Sequence, residues 1–105
     1  MLQRIIDFFR LGRIGATRSG AWPTVEKQFL KANPTCSACG TNKHLNVHHI
    51  QPFHLNPQLE LDTSNLITLC RVDHFTTGHL KSWASWNKDV RSDASNLLQK
   101  IIHRP

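Results

Sequence analysis

A chain of 105 residues is one domain, or a core with a short appendage, and buries only a modest interior that a bound metal would help to hold. Its 13 Lys and Arg against 7 Asp and Glu leave a formal charge of +6. That balance favours a polyanionic partner, nucleic acid first among them, although a merely soluble basic surface carries the same charge. The odd cysteine count argues against a full disulfide framework. No run is long enough to span a membrane, and Arg4, Asp7 and Arg10 interrupt the apolar amino terminus as no signal peptide would; a soluble, cytoplasmic protein is expected.

Leu2, Ile5, Ile6 and Phe9 recur at helical spacing over residues 2–11, with Gly12 as a stop, so an amphipathic helix that packs on the domain or meets a partner is expected there. Residues 12–20 contain Gly12, Gly15 and Gly20 with Arg13, Thr17, Arg18 and Ser19, an extended basic linker. The expected organisation is therefore a helix and linker over 1–20 and the main domain over 21–105. Pro23 opens a second helix with Val25, Phe29 and Leu30 on its apolar side, and Asn33-Pro34 closes it. Cys36 to Gly40 is a tight turn carrying two thiols. Leu45-Asn46-Val47-His48 alternates as a strand, residues 51–64 with Pro52 and Pro57 form a loop, and Leu66 to Leu69 is a second strand ending at Cys70. From about Asp73 the pattern predicts a helix through Trp86 that buries Leu80 and Trp83; Trp22 is also expected in the core. Val90, Ala94, Leu97, Leu98, Ile101 and Ile102 make the stripe of a last helix, with Asp93 near its start and Lys100, His103 and Arg104 near its end, as its dipole prefers.

The adjacent histidines His48 and His49 end a strand, and a strand sends neighbouring side chains to opposite faces. One ring can then hold a metal while the other faces a substrate. Around the pair stand Cys36-x-x-Cys39-Gly40, Val47-His48-His49-Ile50-x-Pro52, Asn65-Leu66-x-x-Leu69-Cys70 and a histidine nine residues after the asparagine, His74. In this order and spacing the stretch from Cys36 to His79 resembles the HNH endonucleases, the ββα-metal or His-Me finger family, and the whole is similar to compact stand-alone members of phages and bacteria. The resemblance implies an α+β fold in which helices flank a ββα-metal motif, a small zinc-stapled single domain with the nuclease unit over 21–105.

It also implies roles. His49 matches the general base, His48 the first metal ligand, Asn65 the central asparagine and His74 the last histidine of the name, a second ligand. His79 is a candidate third ligand, although five residues along an ideal helix turn a side chain about 140° away, so Gly78 would have to break the regular geometry. Phosphodiester hydrolysis needs a base that titrates near neutrality and a cation on the scissile phosphate; neutral imidazole ligands suit Zn²⁺, Ni²⁺ or Mn²⁺ at least as well as Mg²⁺. Cys36, Cys39 and Cys70 fit a structural zinc site whose fourth cysteine, in the family pattern, is replaced here by Asp73; three free thiols, or a Cys36–Cys39 disulfide in an oxidised sample, are the alternatives. Arg13, Arg18, Lys43 and Arg71 are the candidate phosphate contacts. The reading is a metal-dependent DNA endonuclease with weak intrinsic sequence preference, monomeric, with DNA as partner and a DNA-processing or phage-packaging protein as a possible second. The alternative is a zinc-stapled nucleic-acid-binding module that does not cut.

Overall fold

The computed structural model of the protein describes residues 18–103. The expected amino-terminal helix over 2–11, Arg13 and Arg104 lie outside these residues. The architecture is a small α+β fold built on a two-stranded antiparallel sheet. Helix α1, Trp22–Ala32, begins with proline in its first turn, where the missing N–H costs nothing. It ends where the Asn33 backbone N–H and side-chain Nδ2 both donate to the Phe29 carbonyl, at 2.8 and 3.1 Å. The carbonyl of Asn33 then accepts from Thr68 Oγ1 at 2.9 Å, which ties the end of the helix to the sheet.

The knuckle follows. Cys36 N donates to the Thr41 carbonyl and Gly40 N to the Cys36 carbonyl, and Gly40 takes φ 81°, a conformation that a side chain would resist. Strand β1, Leu45–His49, pairs with β2, Leu66–Cys70, in the register Leu45 with Cys70 and His49 with Leu66. Opposed residues share a face. His48 therefore sits with Ile67 on one side of the ribbon, and His49 with Leu66 and Val47 on the side that α1 covers. The connection between the strands is the expected loop, broken by two single 3₁₀ turns at Pro57–Leu59 and Thr63–Asn65.

Helix α2 spans 71–78, and its second part, His74–Gly78, is π-helical. The expected continuation to Trp86 does not occur. Leu80 and Lys81 adopt φ 55° and 68°, and two successive left-handed residues cannot extend a right-handed helix. Leu80 and Trp83, expected in the core, are instead 53% and 61% exposed. Asn87 secures the irregular segment that follows: its backbone N–H donates to the Gly78 carbonyl, and its Nδ2 donates to the Thr77 carbonyl and to Asp93 Oδ2.

Helix α3, Val90–Ile102, closes the molecule along the expected stripe. Only its first half is buried: Val90 and Ala94 join Cys36, Ala38, Ile67 and Leu69 in the core, while Leu97, Ile101 and Ile102 stay partly exposed among the described residues. The larger members of that cluster, Ile67, Leu69 and Val90, contribute about 1.5–3 kcal/mol each by leaving water. Such a small core leaves a role for a staple at the knuckle. Among the described residues no helix is long and apolar enough to cross a membrane.

Candidate active site

Strand alternation delivers His48 to the face of the ribbon against which α2 packs. There its ring meets those of His74 and His79, with centroids 4.9 and 4.8 Å away, and the latter two stand 4.9 Å apart. One nitrogen from each ring lies within 4.8 Å of the others. The π-helical turn makes this possible. His79 N donates to the His74 carbonyl at 3.1 Å, a bond across five residues that widens the turn. It returns His79 to the side of His74, where an ideal helix would have turned it away. Gly78 sits against the His48 ring, so that a Cβ there would lie 3.1 Å from His48 Cε1.

The outer partners define which nitrogens are free. His74 Nδ1 donates to Asn46 Oδ1 at 3.2 Å, and His79 Nδ1 donates to the Ser85 carbonyl at 2.7 Å. Both tautomers therefore leave Nε2 with its lone pair. His48 Nε2 is buried with no hydrogen-bond partner among the described residues. An orphaned buried nitrogen facing two free lone pairs is the donor set of a metal site, and it fits a divalent ion with positions left open. Burial, and then the neighbouring rings, hold His48 down to about 3 and His74 to about 4, so both are neutral at physiological pH, as ligands must be.

His49 points the other way, against Trp22 of α1, with ring centroids 4.6 Å apart. Its Nε2 donates to the Glu60 carbonyl at 3.0 Å, because a carbonyl can only accept, and that places the lone pair on Nδ1. Burial lowers its pKa below the ordinary histidine value; the hydrogen bond to Glu60 opposes this and the Arg18 charge adds to it. Among the described residues, the Asn65 side chain makes no hydrogen bond to the histidines. Its Oδ1 accepts from Gln51 N at 2.9 Å and its Nδ2 donates to the Gln51 carbonyl at 3.2 Å, while its own carbonyl accepts from Ile50 N. The chain just after His49 is thus clamped.

Glu60 went unnoticed in the sequence, where it is one acid in a loop without periodicity. It is 5% exposed. Both carboxylate oxygens accept from Ser19 N, and Arg18 pairs with it at 3.8 Å, so these two residues of the expected linker are fastened to the domain. The Arg18 guanidinium lies over the rings of Phe53 and Trp22, at 4.5 and 5.4 Å. A cleft of about 330 Å³ is lined by His48, His49, His74 and His79 with Arg18 and Trp83 on its walls. A larger groove of about 760 Å³ runs between α1 and Leu61, but it holds no titratable cluster and carries no chemistry. Of the candidate phosphate contacts, Arg18 reaches the cleft; Lys43 and Arg71 are exposed beside the knuckle and do not line it.

The second cluster comprises Cys36, Cys39, Cys70 and Asp73. The three cysteines are free. The thiols of Cys36 and Cys70 each donate to Asp73 Oδ2 at 3.3 Å, and the sulfurs of Cys39 and Cys70 are 3.9 Å apart. Ala38 N and Asp73 N donate to Cys36 and Cys70 sulfur, as backbone amides do for a thiolate that holds a metal. Burial pushes Cys39 up to about 12 and raises Cys70, and a bound cation would favour the thiolate of each.

Two antiparallel strands and a helix that bring histidines to one point define a ββα-metal unit. A family model described as HNH endonuclease matches residues 36–80, the knuckle, both strands and the histidine-bearing helix, and this segment is an HNH domain. Neither the curated proteins nor the solved structures yielded a match. HNH proteins use divalent metals, and the two clusters could each hold one.

Proposed function

We propose that the protein is a metal-dependent DNA endonuclease in which His49 is the general base and His48, His74 and His79 hold one divalent ion, Mg²⁺, Mn²⁺, Ni²⁺ or Zn²⁺. The observation that carries this reading is the convergence of a partnerless His48 Nε2, two tautomer-defined histidines and a separately aimed His49 on one cleft. The ion, when bound, supplies positive charge against the scissile phosphate and the leaving 3′ oxygen. Nδ1 of His49 takes a proton from the attacking water; the Glu60 carbonyl orients the ring and stabilises the imidazolium that forms. Asn65 acts as a positioning residue, through the segment at Gln51. Arg18 offers its guanidinium to a flanking phosphate, and products carry 5′ phosphate and 3′ hydroxyl.

Zinc on Cys36, Cys39, Cys70 and Asp73 pins the knuckle to the end of β2. Because Asp73 directly precedes His74, that staple also sets the start of the catalytic turn. The sequence preference is weak and the protein acts as a monomer in the cytoplasm, directed to its DNA by a processing or packaging partner that meets the amino-terminal helix expected over residues 2–11.

The test is a supercoiled-plasmid assay on chelator-stripped protein, with Mg²⁺, Mn²⁺, Ni²⁺ and Zn²⁺ restored singly and His49→Ala run beside the wild type. Metal-dependent nicking that falls by at least about 100-fold in the variant supports the reading. DNA binding without cutting under any ion would replace it with the non-cleaving zinc-stapled module.

A further inference from the structure

Trp83 is where a soluble domain rarely leaves an indole. It is 61% exposed, whereas tryptophan is among the most deeply covered residues on average. A single exposed apolar side chain needs no explanation by itself. This one, however, is held in place. Its ring packs on those of His79, Phe75 and His74, with centroids 4.8, 5.0 and 5.3 Å away.

The loop that carries it is closed on itself. Ser82 N donates to the His79 carbonyl, Ser85 N to the Ser82 carbonyl, and His79 Nδ1 returns to the Ser85 carbonyl at 2.7 Å. The left-handed pair Leu80 and Lys81 makes the bend, a conformation that persists only where its surroundings enforce it. The indole is thus held at the lip of the histidine cleft by three neighbouring rings while most of its surface stays open to solvent. Arg18, half exposed and cationic, lines the same cleft.

We propose that Trp83 is a stacking platform for an unpaired nucleobase beside the scissile phosphate, so that the cleft takes single-stranded or locally unpaired DNA in preference to intact duplex. This rests on the nuclease reading for the position of the phosphate. The physical argument concerns which surfaces each substrate presents. In duplex DNA the faces of the bases are stacked on one another and only their edges are open to a protein. An indole face gains nothing from an edge. An unpaired base offers its whole π-face, and stacking on an aromatic side chain accepts any base. The net charge of +6 supplies backbone attraction for either form, so the indole is the group that discriminates between them.

The experiment is fluorescence anisotropy with a labelled oligothymidine and with a fully paired, blunt-ended duplex of equal nucleotide count, at one fixed salt concentration. The full-length protein carries His49→Ala, so that the strand is not consumed. Trp83→Ala should weaken oligothymidine binding by about 5- to 150-fold, the worth of one base stack, and duplex binding by less than about 2-fold; Trp83→Phe should recover most of the loss. Equal losses on both substrates, or unchanged oligothymidine binding, overturn the inference, and the second result would give the indole to a protein partner instead. The plasmid assay separates the two readings. Cutting with single-strand binding indifferent to Trp83 defeats this inference alone. Single-strand binding dependent on Trp83, in a wild-type protein that no ion makes cut, supports the platform and defeats the nuclease.

Discussion

Gly78→Ala tests whether the histidine site is as tightly built as its geometry implies. The added Cβ would sit 3.1 Å from His48 Cε1 and 3.3 Å from both ring nitrogens, where ordinary contact begins at 3.4 Å. The His48 ring would have to yield by a few tenths of an ångström, because the glycine lies inside α2 and cannot withdraw. Such a shift exceeds the roughly 0.2 Å within which metal–ligand distances hold. The backbone itself raises no objection, since Gly78 is not among the residues of positive φ and alanine gains about 1 kcal/mol of helix propensity over glycine. Overpacking costs about 1–3 kcal/mol, so the net destabilisation is about 0–2 kcal/mol and the variant folds. Metal affinity of the histidine site should fall about 10- to 100-fold, as when an orienting partner is lost. Co²⁺ titration reads this directly, because thiolate charge-transfer absorption marks the knuckle and separates it from the histidine site. Unchanged affinity at the histidine site, with an unchanged thermal midpoint in chelator, would refute the argument that this approach matters.

Three further outcomes follow from the same contacts. The pH dependence of cleavage should show a single acid limb: His49 acts only when neutral and burial holds its pKa below the ordinary histidine value, so kcat/KM is on its plateau by about pH 7.5 and drops as the ring protonates at lower pH; a limb well above pH 7 would assign the base elsewhere. Asn65→Ala removes both side-chain bonds to Gln51 and should cost about 1–3 kcal/mol, a fall in melting temperature of at least about 4 °C, with kcat reduced more than DNA affinity; a midpoint within 1 °C of wild type would contradict the clamp. Asp73→Ala should weaken zinc retention at the knuckle by more than about 10-fold, and Asp73→Cys should strengthen it. Equal retention in all three proteins, measured by chelator competition, would remove Asp73 from the ligand set.

Much of the site could be read from the sequence because its grammar is local. Alternation in β1 is a property of any strand, so His48 and His49 had to diverge as soon as residues 45–49 were extended. Pro23 and Asn33-Pro34 bounded α1 by restricting their own backbones, and Cys36-x-x-Cys39-Gly40 is a short turn that keeps its thiols near each other. The limits of α3 followed from its apolar stripe, but the stripe did not reveal that Leu97, Ile101 and Ile102 would stay partly open, because coverage depends on what else packs there.

Tertiary structure decided the rest, wherever a partner lies far along the chain or a helix departs from its ideal period. The widened turn that returns His79 to His74 satisfies no 3.6-residue pattern, and the same departure ended α2 before Trp83 and left that indole outside. Asn46 orients His74 from 28 residues away, and Glu60 captures Ser19 N across 41. No local propensity encodes either contact. Residue types and spacings determined which groups could do chemistry, since donor atoms and backbone restrictions are intrinsic to each residue. Which of their nitrogens carry free lone pairs, and onto which cleft they open, depended on hydrogen bonds that exist only once the sheet, α2 and the 79–89 segment have packed together.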